Sequence, residues 1–298
     1  MHLNVGVFGS QELAASLGKK DTVNDIAFYS HSSSEGIFSF IAPASAKIQP
    51  FLQVLHMIDF PVLVVKELNK EVGEMIIGID EMKFERGFII TEMKDAVLQF
   101  IKGTSLEKFE FIEEAQLRAR LLEIKTEVRG EGPYIPVDNY FNVKGIGAVV
   151  LAIVKSGTVH LHDKLMLEPL GKEVAIKGVQ SHDKDIQEAE AGTRVGLNLK
   201  GVEADEIKRG YVLCKSIDKS SDFRIKFSRS RFFKQEVKAG INVLLSIGLQ
   251  VAACNIESIG DELVLKAQQP MAYRNGERCI VASQNEIMPR IIGSGVIL

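Results

Sequence analysis

The chain has 298 residues, 46% of them hydrophobic and 25% charged, with a net charge of −3. That length exceeds one ordinary core and implies two or three domains, and the composition excludes a disordered chain. No apolar run approaches the roughly 20 residues of a membrane span, and the N-terminus lacks a basic-then-apolar leader, so a cytoplasmic protein with no membrane partner is expected. Three widely spaced cysteines, Cys214, Cys254 and Cys279, make neither a disulfide framework nor a C-x-x-C site. The six histidines lack ligand spacing, and no metal site is expected.

In chain order, a short apolar strand over Leu3–Phe8 runs through Gly9-Ser10 into a helical stretch, Gln11–Leu17. A phosphate loop, G-x-x-x-x-G-K-[ST], belongs at such a junction, but Ala14 and Ala15 stand where its Gly-Lys should follow Gly9. Further strand signals fall on Ile26–Ser30, Ile37–Ile41, Pro61–Val65 and Gly87–Thr91, with a hairpin turn over Ser30–Gly36 that makes one strand antiparallel. Helical signals fall on Lys47–Met57, Glu71–Met82 and Leu106–Ala119, the last before Leu121–Glu127. Apolar strands alternating with helices imply a mostly parallel α/β sheet.

The texture changes at Arg129–Pro136, a turn-rich stretch with two Gly and two Pro. Beyond it run short β-branched segments, Ala148–Lys155, Lys164–Leu167, Glu173–Val179 and Thr193–Leu199, at the spacing of a closed barrel. The pattern resumes after "SIDKSSD", Ser216–Asp222, as a second all-β unit. The domains expected are therefore 1–125 (α/β), 126–218 (β-barrel) and 219–298 (β-barrel). Their charges differ: 13 basic against 18 acidic residues in the first, 12 against 14 in the second, 11 against 7 in the third. The basic third domain suggests a polyanionic partner.

The segment Pro136–Lys215 resembles the second domain of the elongation factor Tu superfamily nearly end to end. The resemblance rests on Gly145-x-Gly147, Val154-x-x-Gly157 and the closing Ile207-Lys208-Arg209-Gly210-Tyr211-Val212-Leu213. It implies a P-loop-GTPase-like α/β domain followed by two β-barrels. The short C-terminal unit, with "FFKQEVKAGINVLLSIGLQ" and "RIIGSGVIL", is more similar to the selenocysteine-specific (SelB) branch.

The resemblance also implies four nucleotide stations, and each is altered. The phosphate loop is shortened, with Glu12 at the start of the helix that follows. The D-x-P-G-H motif, which supports magnesium and positions water, has become Ile41-Ala42-Pro43-Ala44-Ser45. The switch threonine has only Thr22 and Ser32–Ser34 as weak counterparts. The base-reading N-K-x-D has become Glu92-Met93-Lys94-Asp95, leaving Lys94 and Asp95 as the residual nucleotide-binding candidates. Charge-assisted hydrogen bonds contribute about 1.5–3 kcal/mol each, so losing three costs roughly 5–9 kcal/mol, or three to six orders of magnitude in affinity. GTP and magnesium, the family's ligands, are expected to be lost, and no catalytic residue is assigned. A surviving GTP site completed by Lys19, Lys20 or a partner is the alternative.

In the barrels the resemblance implies a pocket for the aminoacyl group and acceptor end of tRNA, at Asp138, Asn139, Phe141 and Arg194. Arg224, Lys226, Arg229, Arg231 and Lys234 in "FRIKFSRSRFFK" are the RNA-contacting candidates, since Arg224, Lys226 and Ser228 alternate with Phe223, Ile225 and Phe227. The reading is an elongation factor homologue binding aminoacyl-tRNA, with the ribosome a further partner of the family and DNA not expected. A protein-binding module of the translation machinery that holds no RNA is the third possibility.

Overall fold

The computed structural model describes residues 2–125, 130, 132–285 and 287–298. The first domain is a seven-stranded sheet built from β1 (His2–Phe8), β2 (Lys19–Val23), β3 (Ile26–Ser32), β4 (Ile37–Pro43), β5 (Phe60–Val65), β6 (Phe88–Thr91) and β7 (Glu110–Phe111). Its order is β2-β3-β4-β1-β5-β6-β7, parallel except that β3 runs against both neighbours. The helices are α1 (Gln11–Leu17), α2 (Ile48–Met57), α3 (Lys70–Met82), α4 (Lys94–Phe100) and α5 (Leu117–Leu122). Both faces of the sheet are covered, as a parallel sheet requires. Leu3, Val5 and Val7 of β1 pack with Leu13 and Leu17 of α1 and Leu117 and Leu121 of α5. Phe8, on the opposite face, packs with α2 and α3.

The sequence reading locates β1, β3, β4, β5, β6, α1, α2 and α3 within a residue or two, and the β3–β4 turn closes through Ser33 N–H to the Gly36 carbonyl at 3.0 Å. The helix expected over Leu106–Ala119 is corrected. It is a short 3-10 turn (Ser105–Lys108), β7, a second 3-10 turn (Glu114–Gln116) and then α5. The cause is tertiary: Glu110 N–H donates to the Gly87 carbonyl at 3.1 Å and Ile112 N–H to that of Ile89 at 3.0 Å, drawing the chain alongside β6. Two elements escape the periodicity. β2, "KKDTV", has no apolar alternation and exists through its pairing with β3, while α4 buries only Val97. The end of Leu121–Glu127, Arg129 and Glu131 of the turn-rich stretch, and the boundary expected at 125/126 fall on or beside residues outside those described.

The second domain is a closed antiparallel barrel of Tyr134–Val143, Gly147–Ile153, Lys164–Glu168, Lys172–Ser181, Arg194–Lys200 and Val212–Cys214, with Lys164–Glu168 paired on both sides to close it. The third is a closed six-stranded barrel of Asp218–Arg229, Asn242–Ile247, Gln250–Ile259, Leu263–Tyr273, Arg278–Ser283 and Ile291–Ile297. The Ser216–Asp222 stretch, after which the strand pattern is expected to resume, largely belongs to the first of these strands. Each barrel fills with the alternating inward residues of its strands.

Candidate functional site

The carboxyl edge of a parallel sheet is where ligands of such domains bind. Here β1 reaches α1 through Gly9 and Ser10 alone. Gly9 has φ +88°, and a Cβ there would lie 2.1 Å from the Val64 carbonyl oxygen, so the connection crosses tightly over β5, in a conformation suited to glycine. Ser10 then caps α1, its Oγ accepting from Leu13 N–H at 3.1 Å. Glu12 in the first turn pairs with Lys66 beyond β5 at 3.3 Å, both side chains largely exposed. Lys19 and Lys20 lie on edge strand β2, three strands from β1, about 14 Å across the sheet.

The other nucleotide stations are displaced or occupied. α1 and β2 are separated only by Gly18, whose Cβ position is 2.7 Å from the Ser30 carbonyl oxygen. Thr22 accepts a hydrogen bond from Arg194, and Ser32–Ser34 lie in and beside the β3–β4 turn. Ile41 is fully buried and Pro43 ends β4. Lys94 and Asp95 open α4; Lys94 Nζ stands 5.2 Å from the centre of the Phe111 ring, and both residues are exposed. Beside them, a cleft of about 480 Å³ at the ends of β5 and β6 is lined by Lys66, Thr91, Glu92, Met93, Glu113 and Glu114. Its acidic wall is a poor host for phosphate.

On the second domain, Asp138 and Arg194 come together and Asn139 and Phe141 stand apart from them. Asp138 is 2% exposed and accepts from Arg194 Nη2 at 3.2 Å and Nε at 3.3 Å. The same guanidinium donates to Thr22 Oγ1 at 3.0 Å, lies 3.6 Å from Asp21 and stacks 3.7 Å above the Phe28 ring. Arg194 therefore fastens the barrel to β2 and β3. It also lines a cleft of about 700 Å³ between the two domains, with Lys19, Lys20, His31 and His182. Asn139, midway along the strand Tyr134–Val143, accepts from the N–H of Tyr140 through Oδ1 at 2.9 Å, and Phe141 is an exposed ring.

On the third domain the alternation holds: Phe223 and Ile225 are buried while Arg224, Lys226 and Ser228 face out. The basic residues divide, however. Arg224 pairs with Glu262 at 2.8 Å. Arg229 donates to the Phe233 and Gln235 carbonyls, holding a local turn. Arg231 donates to the Lys102 carbonyl of domain 1 at 2.6 Å. Lys226 and Lys234 are exposed.

Two arginines missed by the sequence reading prove central. Arg209 forms a two-pronged pair with Asp25 at 2.8 Å for each bond, and this holds the Asp25 carboxyl below the usual carboxylate range. Arg290 pairs with Glu74, which is 3% exposed, through Nε at 3.0 and 3.1 Å and also through Nη2. The only signal for Arg209 was its place in the closing motif of the second barrel; nothing local marked Arg290. Among the described residues no cluster of three or more His, Cys, Asp or Glu could hold a metal ion, and no helix is long and apolar enough to cross a membrane.

Comparison with known proteins places this geometry. Residues 147–214 match the family of elongation factor Tu domain 2. The protein MJ0325 of Methanocaldococcus jannaschii, whose name describes it as uncharacterized, is 32% identical over 98% of both chains. The selenocysteine-specific elongation factor of the same organism is 30% identical over 53% of this chain and 35% of that one. In structure, the translation elongation factor SelB of Methanococcus maripaludis, solved with the GTP analogue GppNHp, superposes with a TM-score of 0.82 at 19% identity, over 99% of this chain and 78% of that one. A bacterial selenocysteine-specific elongation factor gives 0.84 at 19% identity, over 99% of this chain and 58% of that one. The α/β domain and two barrels described above thus have the SelB and elongation factor Tu fold, and the chain belongs to the family of MJ0325.

Proposed function

We propose that the protein is an elongation factor homologue that binds the acceptor end of an RNA, aminoacyl-tRNA first, and has given up GTP binding and hydrolysis together with magnesium. The observation that carries the second half is the junction of β1 and α1. With only Gly9 and Ser10 between them, no loop of backbone N–H groups is available to surround phosphates. The cleft beside Lys94 and Asp95, where the family reads the base, is walled by Glu92, Met93, Glu113 and Glu114 and lacks the motif's Asn and Lys.

Support for the first half comes from the retained barrels and from exposed groups on them. Lys226, Lys234 and Arg224 offer phosphate contacts along one strand and the turn after it. Asn139 and Phe141 offer an amide and a ring that a terminal nucleotide could meet. Arg194, held by buried Asp138, lines the interdomain cleft, so the two are not a free pair.

The test is filter binding of charged and uncharged tRNA at two salt concentrations, with calorimetric titration of GTP and magnesium alongside. Binding should weaken as salt rises, and Lys226→Ala with Lys234→Ala should reduce the salt slope by about 0.9 per cation removed. No tRNA binding at low salt would overturn the RNA assignment. A micromolar GTP dissociation constant would overturn the loss of the nucleotide.

A further inference from the structure

A nucleotide switch works by ordering and releasing segments beside the phosphates. In this chain the corresponding segments are short, and each is held by an arginine of another domain. The strand after α1 is gripped by Arg194 through Thr22 and Asp21. The turn between β2 and β3 is gripped by Arg209 through both oxygens of Asp25. The connection from β4 to α2 is gripped by Arg290, whose Nη1 donates to the Ala46 carbonyl at 3.1 Å while Nε and Nη2 hold Glu74 of α3.

Behind these clamps the domains share one interior. The core around α2 and α3 continues without a break into Leu244, Leu249, Ile280, Ala282 and Ile291 of the third domain and Ile153 of the second. Gln53 of α2 ties all three together: its Nε2 donates to the Leu249 carbonyl at 2.9 Å and its Oε1 accepts from Arg209 at 3.2 Å. Ser294 donates to Glu81 of α3 at 2.7 Å, and Lys155 to the Met57 carbonyl at 2.9 Å. Rotating a barrel away would strip buried Gln53, Glu74 and Glu81 of their partners and wet the shared core. Both costs are large, because a buried polar group left unpaired bears its full desolvation penalty.

We infer that the three domains are locked in one arrangement, with Arg194, Arg209 and Arg290 taking the place of a nucleotide as the device that sets it. Whatever the barrels hold is then held without an on and off state. The lock stands on the seam alone; its standing in for a nucleotide and its consequence for RNA rest on the reading proposed above.

The full-length protein tests it by calorimetry and native-state hydrogen exchange. One unfolding transition is expected, its calorimetric and van't Hoff enthalpies equal. Amides of α2, α3, Asn242–Ile247 and Arg278–Ser283 should share one opening event. Separate transitions, or exchange domain by domain, would overturn the lock. Glu74→Gln should speed exchange in the third barrel at least tenfold relative to β1 and β5 while far-ultraviolet dichroism stays unchanged; Glu12→Gln, an exposed pair, should not. Equal exchange in Glu74→Gln and the parent would also overturn it. Where tRNA binds, its affinity should agree within twofold with GTP, GDP or neither present, and a tenfold dependence overturns the lock. Absence of tRNA binding sinks the proposed function and leaves calorimetry and exchange to decide the lock.

Discussion

The carboxyl edge of the domain 1 sheet and the seam facing the barrels are built from the same kinds of side chain used in opposite ways. At the edge, Glu12 and Lys66 meet at 3.3 Å with side chains 89% and 67% exposed. At the seam, Glu74 and Arg290 meet with side chains 4% and 11% exposed, and further hydrogen bonds from the Arg290 N–H and to the Ala46 carbonyl complete the set. Solvent screens the first pair almost to nothing, whereas the second cannot lose a member without burying a lone charge. Contacts between domains are buried and paired in this chain, while at the edge β1 reaches α1 through two residues and the charges stand in solvent.

The contrast breaks first at Glu74. Glu74→Ala should cost about 3–5 kcal/mol, read from the shift in urea midpoint; a loss under about 1 kcal/mol would put the seam on a level with the edge.

His56 sharpens the comparison through pH. It is half-buried in the seam with its Nε2 shut off from solvent, and burial, aided by the nearby Lys155 and Arg278 charges, pushes its imidazole down to about 3. A folded-state value below the unfolded one means that the unfolded chain takes the proton first. Stability is then fully present above about pH 6.5 and is lost as pH falls toward 3, by up to about 1.4 kcal/mol per pH unit. In His56→Gln that part of the acid slope should disappear from denaturation curves taken between pH 6.5 and 4. An unchanged slope would remove His56 from the account.

Arg209→Ala should cost less than Glu74→Ala. Its pair with Asp25 is two-pronged, but the two side chains are 26% and 39% exposed, so about 1 kcal/mol is expected after solvent screening. Thermal denaturation can resolve it. Lys66→Ala should fall within about 0.5 kcal/mol of the parent protein, and a larger loss would mean that the edge is held more firmly than its exposure indicates.

Much of the fold was legible in residues whose pattern has one physical solution. The apolar run of β1, the serine cap of α1 and the glycine turns of the second barrel each point to a single local structure. β2 and β7 were not legible, because short strands with little apolar alternation exist only through neighbours far along the chain. For the candidate site, the shortened phosphate loop could be read by counting from Gly9. The use of Arg194, Arg229 and Arg231 could not, since an arginine beside a turn looks the same whether it awaits a phosphate or holds a carbonyl. α2 did carry an unheeded hint: "IQPFLQVLHM" is apolar on nearly every side, which suits a helix covered all round.

The sequence by itself determined the order of an α/β domain and two barrels, and the missing loop between Phe8 and Gln11. These follow from periodicity and spacing, which are local properties of the chain. Only the tertiary structure decided that Arg194 meets Thr22, that Arg209 meets Asp25 and that Arg290 meets Glu74. Those pairs join residues more than 170 positions apart, and no local pattern selects a partner at that distance. For Arg290 and Glu74 burial selects it, because there each charge is stable only beside its opposite, whereas Arg194 and Arg209 meet their partners at a partly solvated seam.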